Sequence, residues 1–260
     1  MSTGHQISFA TARSTTALLL REMATSYGRS PGGYVWAVLE PVAGIALLSM
    51  VFAAAFTAPG LGQSFPLFYA TGFLPFMMFN DIVNKLASAL RFSRPLLAYP
   101  AVTFMDAILA RFILNAATHL VVGLIVLGGI FVLFETGTIL RPGPIALALS
   151  MTAALAFGIG IFNCLMLTAF PVWDRLWQIV ARPLFVISGI FFVLEDVPRA
   201  FREFLWFNPL IHITAEMRRG IYATYEPGWV SPIYVFSIAI VPAVFGALLL
   251  RRHHSELLQR

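Results

Sequence analysis

The chain has 260 residues, of which 59% are hydrophobic and 11% charged, with a mean hydropathy of +0.83. A globular domain carries about 25% charged residues, so this composition excludes a water-soluble fold and describes an integral membrane protein. The net charge of +5 does not indicate nucleic acid, because the basic residues flank apolar runs, where they signal topology and meet anionic membrane lipids.

The first residues, MSTGHQISFATARSTTALLLREM, lack the unbroken apolar stretch and cleavage site of a secretory signal. Instead, residues 9–27 place Phe9, Ala12, Thr16, Leu19, Leu20, Met23 and Tyr27 near one helical face, with Arg13, Arg21 and Glu22 elsewhere. That pattern predicts an interfacial helix within residues 9–30 on the cytoplasmic surface, after which GRSPGG turns the chain. Six apolar runs follow, at 34–56, 67–90, 104–134, 144–170, 176–194 and 231–250. Each has at least about 19 residues, enough to cross a hydrocarbon core of about 30 Å. Backbone groups in lipid must pair internally, so the expected fold class is all-α: one membrane domain over 1–260 with six transmembrane helices.

Orientation follows from basic residues. One side collects Arg13, Arg21, Arg29, Lys85, Arg91, Arg94, Arg111, Arg175, Arg182, Arg251, Arg252 and Arg260; the other has Arg141, Arg199, Arg202, Arg218 and Arg219. Both termini, including the 251–260 tail, are therefore expected in the cytoplasm, and residues 195–230 outside. In that outer stretch, charges and aromatics alternate from Arg199 to Phe207, Asn208-Pro209 interrupts, and Ile211 to Tyr222 resumes with Glu216, Arg218 and Arg219 expected on the wet side. Two short helices joined at the proline, re-entering the outer leaflet, fit this pattern; an ordinary folded loop is the plainer alternative.

The chemistry is defined largely by what the sequence lacks. A phosphate-cradling P-loop ends in Gly-Lys-Ser/Thr, and the one lysine, Lys85, follows Asn84. There is no HExxH or GxSxG, the five histidines have no metal spacing, and the lone Cys164 rules out an intrachain disulfide. Polar residues within spans are functional candidates by default. Asp81 and Lys85 lie one turn apart and can pair, beside Asn80, Asn84 and Ser88; Arg111, Asn115 and His119 follow at intervals of four. These stripes either line a passage or make interhelical hydrogen bonds. Trp36 falls near a span end, where interfacial belts are expected, and Phe76 and Phe79 pack against lipid by default; the other reading makes them channel or gate candidates, since the apolar face of a sugar ring packs on aromatic rings. The 91–103 loop, RFSRPLLAYPAVT, is either a connector or a docking element for a cytoplasmic partner.

Two segments, LLLREMATSYGRSPGGYVWAVLEP at 18–41 and EDVPRAFREFLWFNPLIHITAEMRRGIY at 195–222, resemble the membrane subunit of bacterial type-2 ABC exporters. The match is to the branch exporting capsular polysaccharide and O-antigen. The resemblance implies a homodimeric permease in the bacterial inner membrane, surrounded by membrane lipids and passing a lipid-linked polysaccharide. It also implies two copies of a cytoplasmic ABC ATPase, and periplasmic or outer-membrane export proteins as further partners. Such a permease has no cofactor of its own, since ATP and magnesium belong to the partner, and it is not itself an enzyme. By position, Arg21, Glu22 and Tyr27, with Arg91, Arg94, Leu97 and Tyr99, would contact the ATPase. Glu195, Asp196, Arg202, Trp206, Asn208, Glu216, Arg219 and Tyr222 would shape the exit.

The span pattern equally allows an exporter of drugs or lipids. A membrane transferase would need His119 and Asp106 to converge, and 13 residues along one helix separate them by about 20 Å.

Overall fold

In the computed structural model, residues 15–23, 32–95, 103–170 and 172–259 are described, with side chains as far as Arg252. Among them the regular structure is helical throughout. Residues 15–23 form α1. Then come α2 (Gly33–Ala55), α3 (Phe65–Ala87), the short α4 (Ala89–Ser93), α5 (Phe104–Leu133) and α6 (Pro142–Ala169). α7 (Trp173–Ile187), a 3-10 turn (Leu194–Asp196), α8 (Arg199–Trp206), α9 (Pro209–Ile221) and α10 (Pro232–Gln259) complete the chain.

Local chemistry sets these boundaries. Gly32, at φ 83, turns the chain into α2. Ser64 caps α3 ahead of a proline in its first turn. Thr103 and Asp106 form a reciprocal capping box on α5, each side chain meeting the other residue's backbone N–H. Asn208 caps α9 by accepting from the Leu210 N–H at 3.0 Å.

Four helices, α2, α5, α6 and the Pro232–Arg252 part of α10, are long and apolar enough to cross a membrane. α3 equals α2 in length, at 23 residues, and is less apolar because Asn80, Asp81, Asn84 and Lys85 occupy its last turns. The expectation for span five needs correction. The helix covers Trp173–Ile187, not 176–194, and its 15 residues extend only about 22 Å. Gly189, at φ 78, reverses the chain immediately afterwards.

The core lies in two connected regions. One gathers the second half of α3 with α6, α10 and the start of α9, around Ile82, Leu86, Met151, Leu155, Ile161 and Ile213. The other gathers α2, the first half of α3, α5 and the end of α9, around Leu67, Phe68, Val126, Ile190 and Ile221. α6 packs most extensively against α10, where a Cβ added to Gly158 would lie 2.0 Å from the Ala239 carbonyl oxygen. Close backbone approach through small residues is how helices associate when lipid competes for every apolar side chain. Gly158→Val should lower the melting temperature of the detergent-purified protein, costing about 1–3 kcal/mol by overpacking. Gly128→Ala, whose added methyl meets nothing within 4 Å, should leave it unchanged.

Candidate functional site

The end of the bundle carrying α1 is organised by one buried arginine. Arg111 on α5 ion-pairs with Glu22 of α1 at 3.1 Å, and both side chains are buried. Arg111 also donates to the Lys85 carbonyl at 2.9 Å and to Ser88 Oγ at 3.1 Å, and its guanidinium lies 4.1 Å from the Phe92 ring centroid. A second contact joins α1 to α5, where the Thr15 hydroxyl donates to Asp106 at 3.4 Å. Glu22 is thus committed inside the chain, whereas Arg21 is exposed and stacks 5.7 Å from the Phe92 centroid. Arg91 donates to the Leu167 carbonyl at 2.6 Å, tying α4 to the end of α6, and Arg94 is exposed in the following turn. Tyr27, Leu97 and Tyr99 lie outside the described residues.

The polar stripes, read from the sequence as lining a passage or as making interhelical hydrogen bonds, divide among several environments. Asn115 is buried and donates to the Arg111 carbonyl at 2.7 Å. Asp81 meets His119 Nε2 at 3.2 Å, not the expected Lys85, because α3 packs along α5 and brings the two side chains together. Asp81, Lys85 and His119 line a cavity of about 470 Å³ with Trp36 and Glu40. Asn84 lines a different cavity at the start of α7, and Asn80 is partly buried. Phe79 is in the core, while Phe76 joins a chain of rings. In that chain Phe76 and Phe185 have centroids 5.2 Å apart, Phe185 and Phe191 5.2 Å, Phe191 and Phe52 5.7 Å, and Phe52 and Tyr69 5.2 Å.

At the opposite end, α9 is almost wholly buried between α6 and α3. Glu216 and Arg218 are 1% and 2% exposed, so they do not face water as the amphipathic pattern suggested; Arg219 does lie near the surface. The reason is hydrogen bonding with the end of α7. Asn208 donates to the Ile187 carbonyl at 2.9 Å, and Thr214 to the Ser188 carbonyl at 2.7 Å. Arg218 donates to the Ile190 and Phe192 carbonyls at 3.2 and 2.8 Å, reaches Thr71 Oγ1 at 3.4 Å, and lies 4.2 Å from the Phe68 ring centroid. Acceptors left bare where α7 stops are therefore met by side-chain donors from α9.

The remaining exit candidates belong to the same cap. Glu195 accepts from Trp229 Nε1 at 2.7 Å and from the Tyr225 hydroxyl at 3.1 Å. Arg202 donates to the Val197 carbonyl at 3.0 Å, while Asp196 is exposed beside it in the 3-10 turn. Trp206 donates to the Trp229 carbonyl at 3.3 Å, and its own carbonyl meets His212 Nε2 at 2.8 Å. Tyr222 is buried against Gly62, where an added Cβ would lie 2.7 Å from its ring and where φ is +69. It borders a cavity of about 770 Å³ whose wall includes Gln63, Phe134, Glu135 and Thr138. Arg219 bridges Glu216 at 3.1 Å and Glu226 at 3.0 Å, and Arg141 pairs with Glu226 from the other side. Hydrogen bonds first from Arg141 and then from Arg219 hold the Glu226 carboxyl below the usual carboxylate range.

Sequence reasoning missed Arg141, Tyr225, Glu226 and Trp229, which lie in loops with no periodicity. Asn163, Trp173 and Trp177, which share the cavity at the start of α7 with Asn84, were hidden in apolar runs. The TFMD capping box was detectable as Thr103 followed three residues later by an acid.

A helical bundle with four helices long and apolar enough to cross a membrane, α1 at one end and a polar cap at the other describes a polytopic membrane protein. The chain belongs to the ABC-2 type transporter family, whose profile matches residues 13–222. It is 30% identical to the polysialic acid transport protein KpsM of Escherichia coli, over 93% of this chain and 94% of that protein. It is 25% identical to the capsule polysaccharide export inner-membrane protein CtrC of Neisseria meningitidis, over 91% and 89% of the two chains. With the corresponding protein BexB of Haemophilus influenzae the identity is 28%, covering 82% of each.

Two outcomes test the cap. Arg218→Lys keeps the charge but cannot fork across two carbonyls, so it should destabilise the purified protein by about 2 kcal/mol or more, read as an earlier thermal unfolding transition. The Glu226 bridge has the opposite character, exposed and dependent on pH. A carboxyl held below its ordinary range contributes stability that is present above that range and lost as pH falls through the depressed value. Wild type should therefore melt above Glu226→Gln at pH 7, and the difference should close on acidification.

Proposed function

We propose that this chain is the membrane-spanning subunit of an ATP-driven exporter that passes a lipid-linked polysaccharide of capsule or O-antigen type across the bacterial inner membrane. The observation that carries the reading is likeness over nearly the whole chain to proteins named for capsule polysaccharide export and polysialic acid transport. The absence of a Gly-Lys phosphate cradle from the sequence supports a separate ATPase.

In this reading α3 and α7 complete a set of six spans, the short α7 reaching about 22 Å before the chain reverses at Gly189. The α1 end is cytoplasmic, in keeping with the twelve basic residues that the sequence pattern assigns to that side, and α8–α9 form a re-entrant lid at the outer mouth. A homodimer is supported by α7, which buries no residue within its own chain and exposes Leu176, Ile179, Val180 and Val186. The ATPase, in two copies, would press on α1, Arg91, Arg94 and the segment that follows. Load reaching α1 is received by Glu22 and Arg111, which pull on α5 and on the end of α3. The ring chain from Phe52 to Phe76 offers the apolar faces along which sugars can slide.

The test is complementation. The chain, expressed together with an ABC ATPase of a capsule exporter in an encapsulated strain lacking its own permease, should restore surface polysaccharide. Arg94→Glu should leave the protein inserted yet reduce surface polysaccharide about tenfold, the size of a coupling free energy near 1.4 kcal/mol. Inserted wild-type protein that restores none would refute the reading.

A further inference from the structure

The cavity at the start of α7 has a feature that the fold does not account for. It measures about 350 Å³ and is walled by Asn84, Asn163, Trp173, Asp174, Trp177 and Gln178, contributed by α3, α6 and α7. Asn163 is 1% exposed, and its amide oxygen accepts from Trp173 Nε1 at 3.0 Å. An indole N–H can only donate, so this bond fixes the orientation of the amide and turns its NH₂ away from Trp173. That Nδ2, and the indole nitrogen of Trp177, are both enclosed and have no acceptor among the described residues. Two buried donors without acceptors in one wall cost about 1–3 kcal/mol each unless something supplies oxygen.

We propose that this cavity is a saccharide subsite, holding a neutral hydroxylated ring by donation from Asn163 Nδ2 and Trp177 Nε1 and by packing on the two indoles. The inference rests on the polysaccharide-export reading and narrows it to a place and a ligand chemistry. The donors require acceptor oxygens, which sugar hydroxyls and ring oxygens provide. The faces of Trp173 and Trp177 match the apolar C–H face of a pyranose. The side chains of Asn84 and Gln178 can each give and take hydrogen bonds, as recognition of hydroxyls demands. Asp174, whose carboxylate accepts from Gln178 Nε2 at 3.2 Å, accepts hydroxyl protons but repels phosphate or carboxylate groups, which selects a neutral ring. The volume lies at the small end of ligand cavities, which start at about 300 Å³, and suits a ring or two of a longer chain.

Its location gives the site a use. Ser88, at the end of α3 and also in the cavity wall, accepts from Arg111 Nη1 at 3.1 Å, and Arg111 holds Glu22 of α1. A sugar seated here lies beside the anchor of the cytoplasmic helix, at the end of the bundle opposite the polar cap.

The experiment uses the full chain in lipid nanodiscs, with saturation-transfer NMR to maltotriose as the neutral probe and to trimeric sialic acid as the anionic one. Maltotriose should receive saturation and the anionic trimer should receive less. Trp177→Phe keeps an aromatic ring in the wall while removing the N–H with the pyrrole portion that carries it, so it should fold like wild type while weakening maltotriose roughly tenfold, as expected for one lost buried hydrogen bond. Asn163→Asp, which keeps the acceptor for Trp173 but replaces the donating NH₂, should weaken it at least as much. No transfer to maltotriose in wild type, or transfer unaffected by both variants, overturns the subsite. Restored surface polysaccharide without maltotriose binding would sink the subsite alone; maltotriose binding without restored export would sink the export reading instead.

Discussion

A helix that stops inside a membrane protein leaves its last carbonyls without partners, and lipid offers none. The end of α7 is such a place, and the half of the molecule opposite α1 is arranged around it. Ile187, Ser188, Ile190 and Phe192 present carbonyl oxygens that Asn208, Thr214 and Arg218 satisfy from the next helix but one. Arg218 suits this task because its guanidinium has several donors in a fixed fork and no acceptor, and because the Phe68 ring shields its face. A buried guanidinium normally needs a carboxylate; here carbonyl dipoles and a hydroxyl substitute for one. The arrangement buries α9, fixes where the chain reverses at Gly189, and leaves α8 outside, with Phe201 and Phe204 exposed.

Much of the fold was legible from hydropathy, because run length and apolarity are local properties. The runs at 34–56, 67–90, 104–134, 144–170 and 231–250 agree with α2, α3, α5, α6 and α10 to within a few residues at most ends. Span five was misjudged because FVISGIFFVL remains apolar past Ile187, and hydropathy does not distinguish an apolar helix from an apolar turn whose carbonyls are satisfied from elsewhere. The donors responsible lie some 20 to 30 residues downstream. The same blindness placed Arg218 in water, while Glu216 is buried with Arg219, three residues on, as its partner. Charges on an amphipathic pattern are assigned to solvent unless a partner is visible, and backbone acceptors leave no mark on the sequence.

The candidate site residues show a similar division. Residues acting through local spacing, such as the Thr103–Asp106 box, could be read directly. Those whose partners arrive from another helix could not. Asp81 had Lys85 one turn away, yet it pairs with His119, and the carbonyl of Lys85 serves Arg111. Helix packing decides such pairings, and one sequence without its relatives gives no sign of which helices are neighbours.

Both arginines of consequence hold α3, from opposite ends. Arg218 meets Thr71 and Phe68 near its start, and Arg111 meets Lys85 and Ser88 at its finish. The 17 residues from Thr71 to Ser88 correspond to about 26 Å of helix, most of a hydrocarbon core. Spatial intermediacy alone does not establish coupling between two sites. Arg111 grips a main-chain oxygen of α3, whereas Arg218 reaches α3 through the Thr71 hydroxyl and the Phe68 ring and gives its main-chain contacts to Ile190 and Phe192. Pulling either one displaces backbone or breaks several hydrogen bonds together. α3 is therefore anchored at both ends, with Pro75 between the anchors, and is the helix that joins the Arg111–Glu22 pair to the turn that α9 seals.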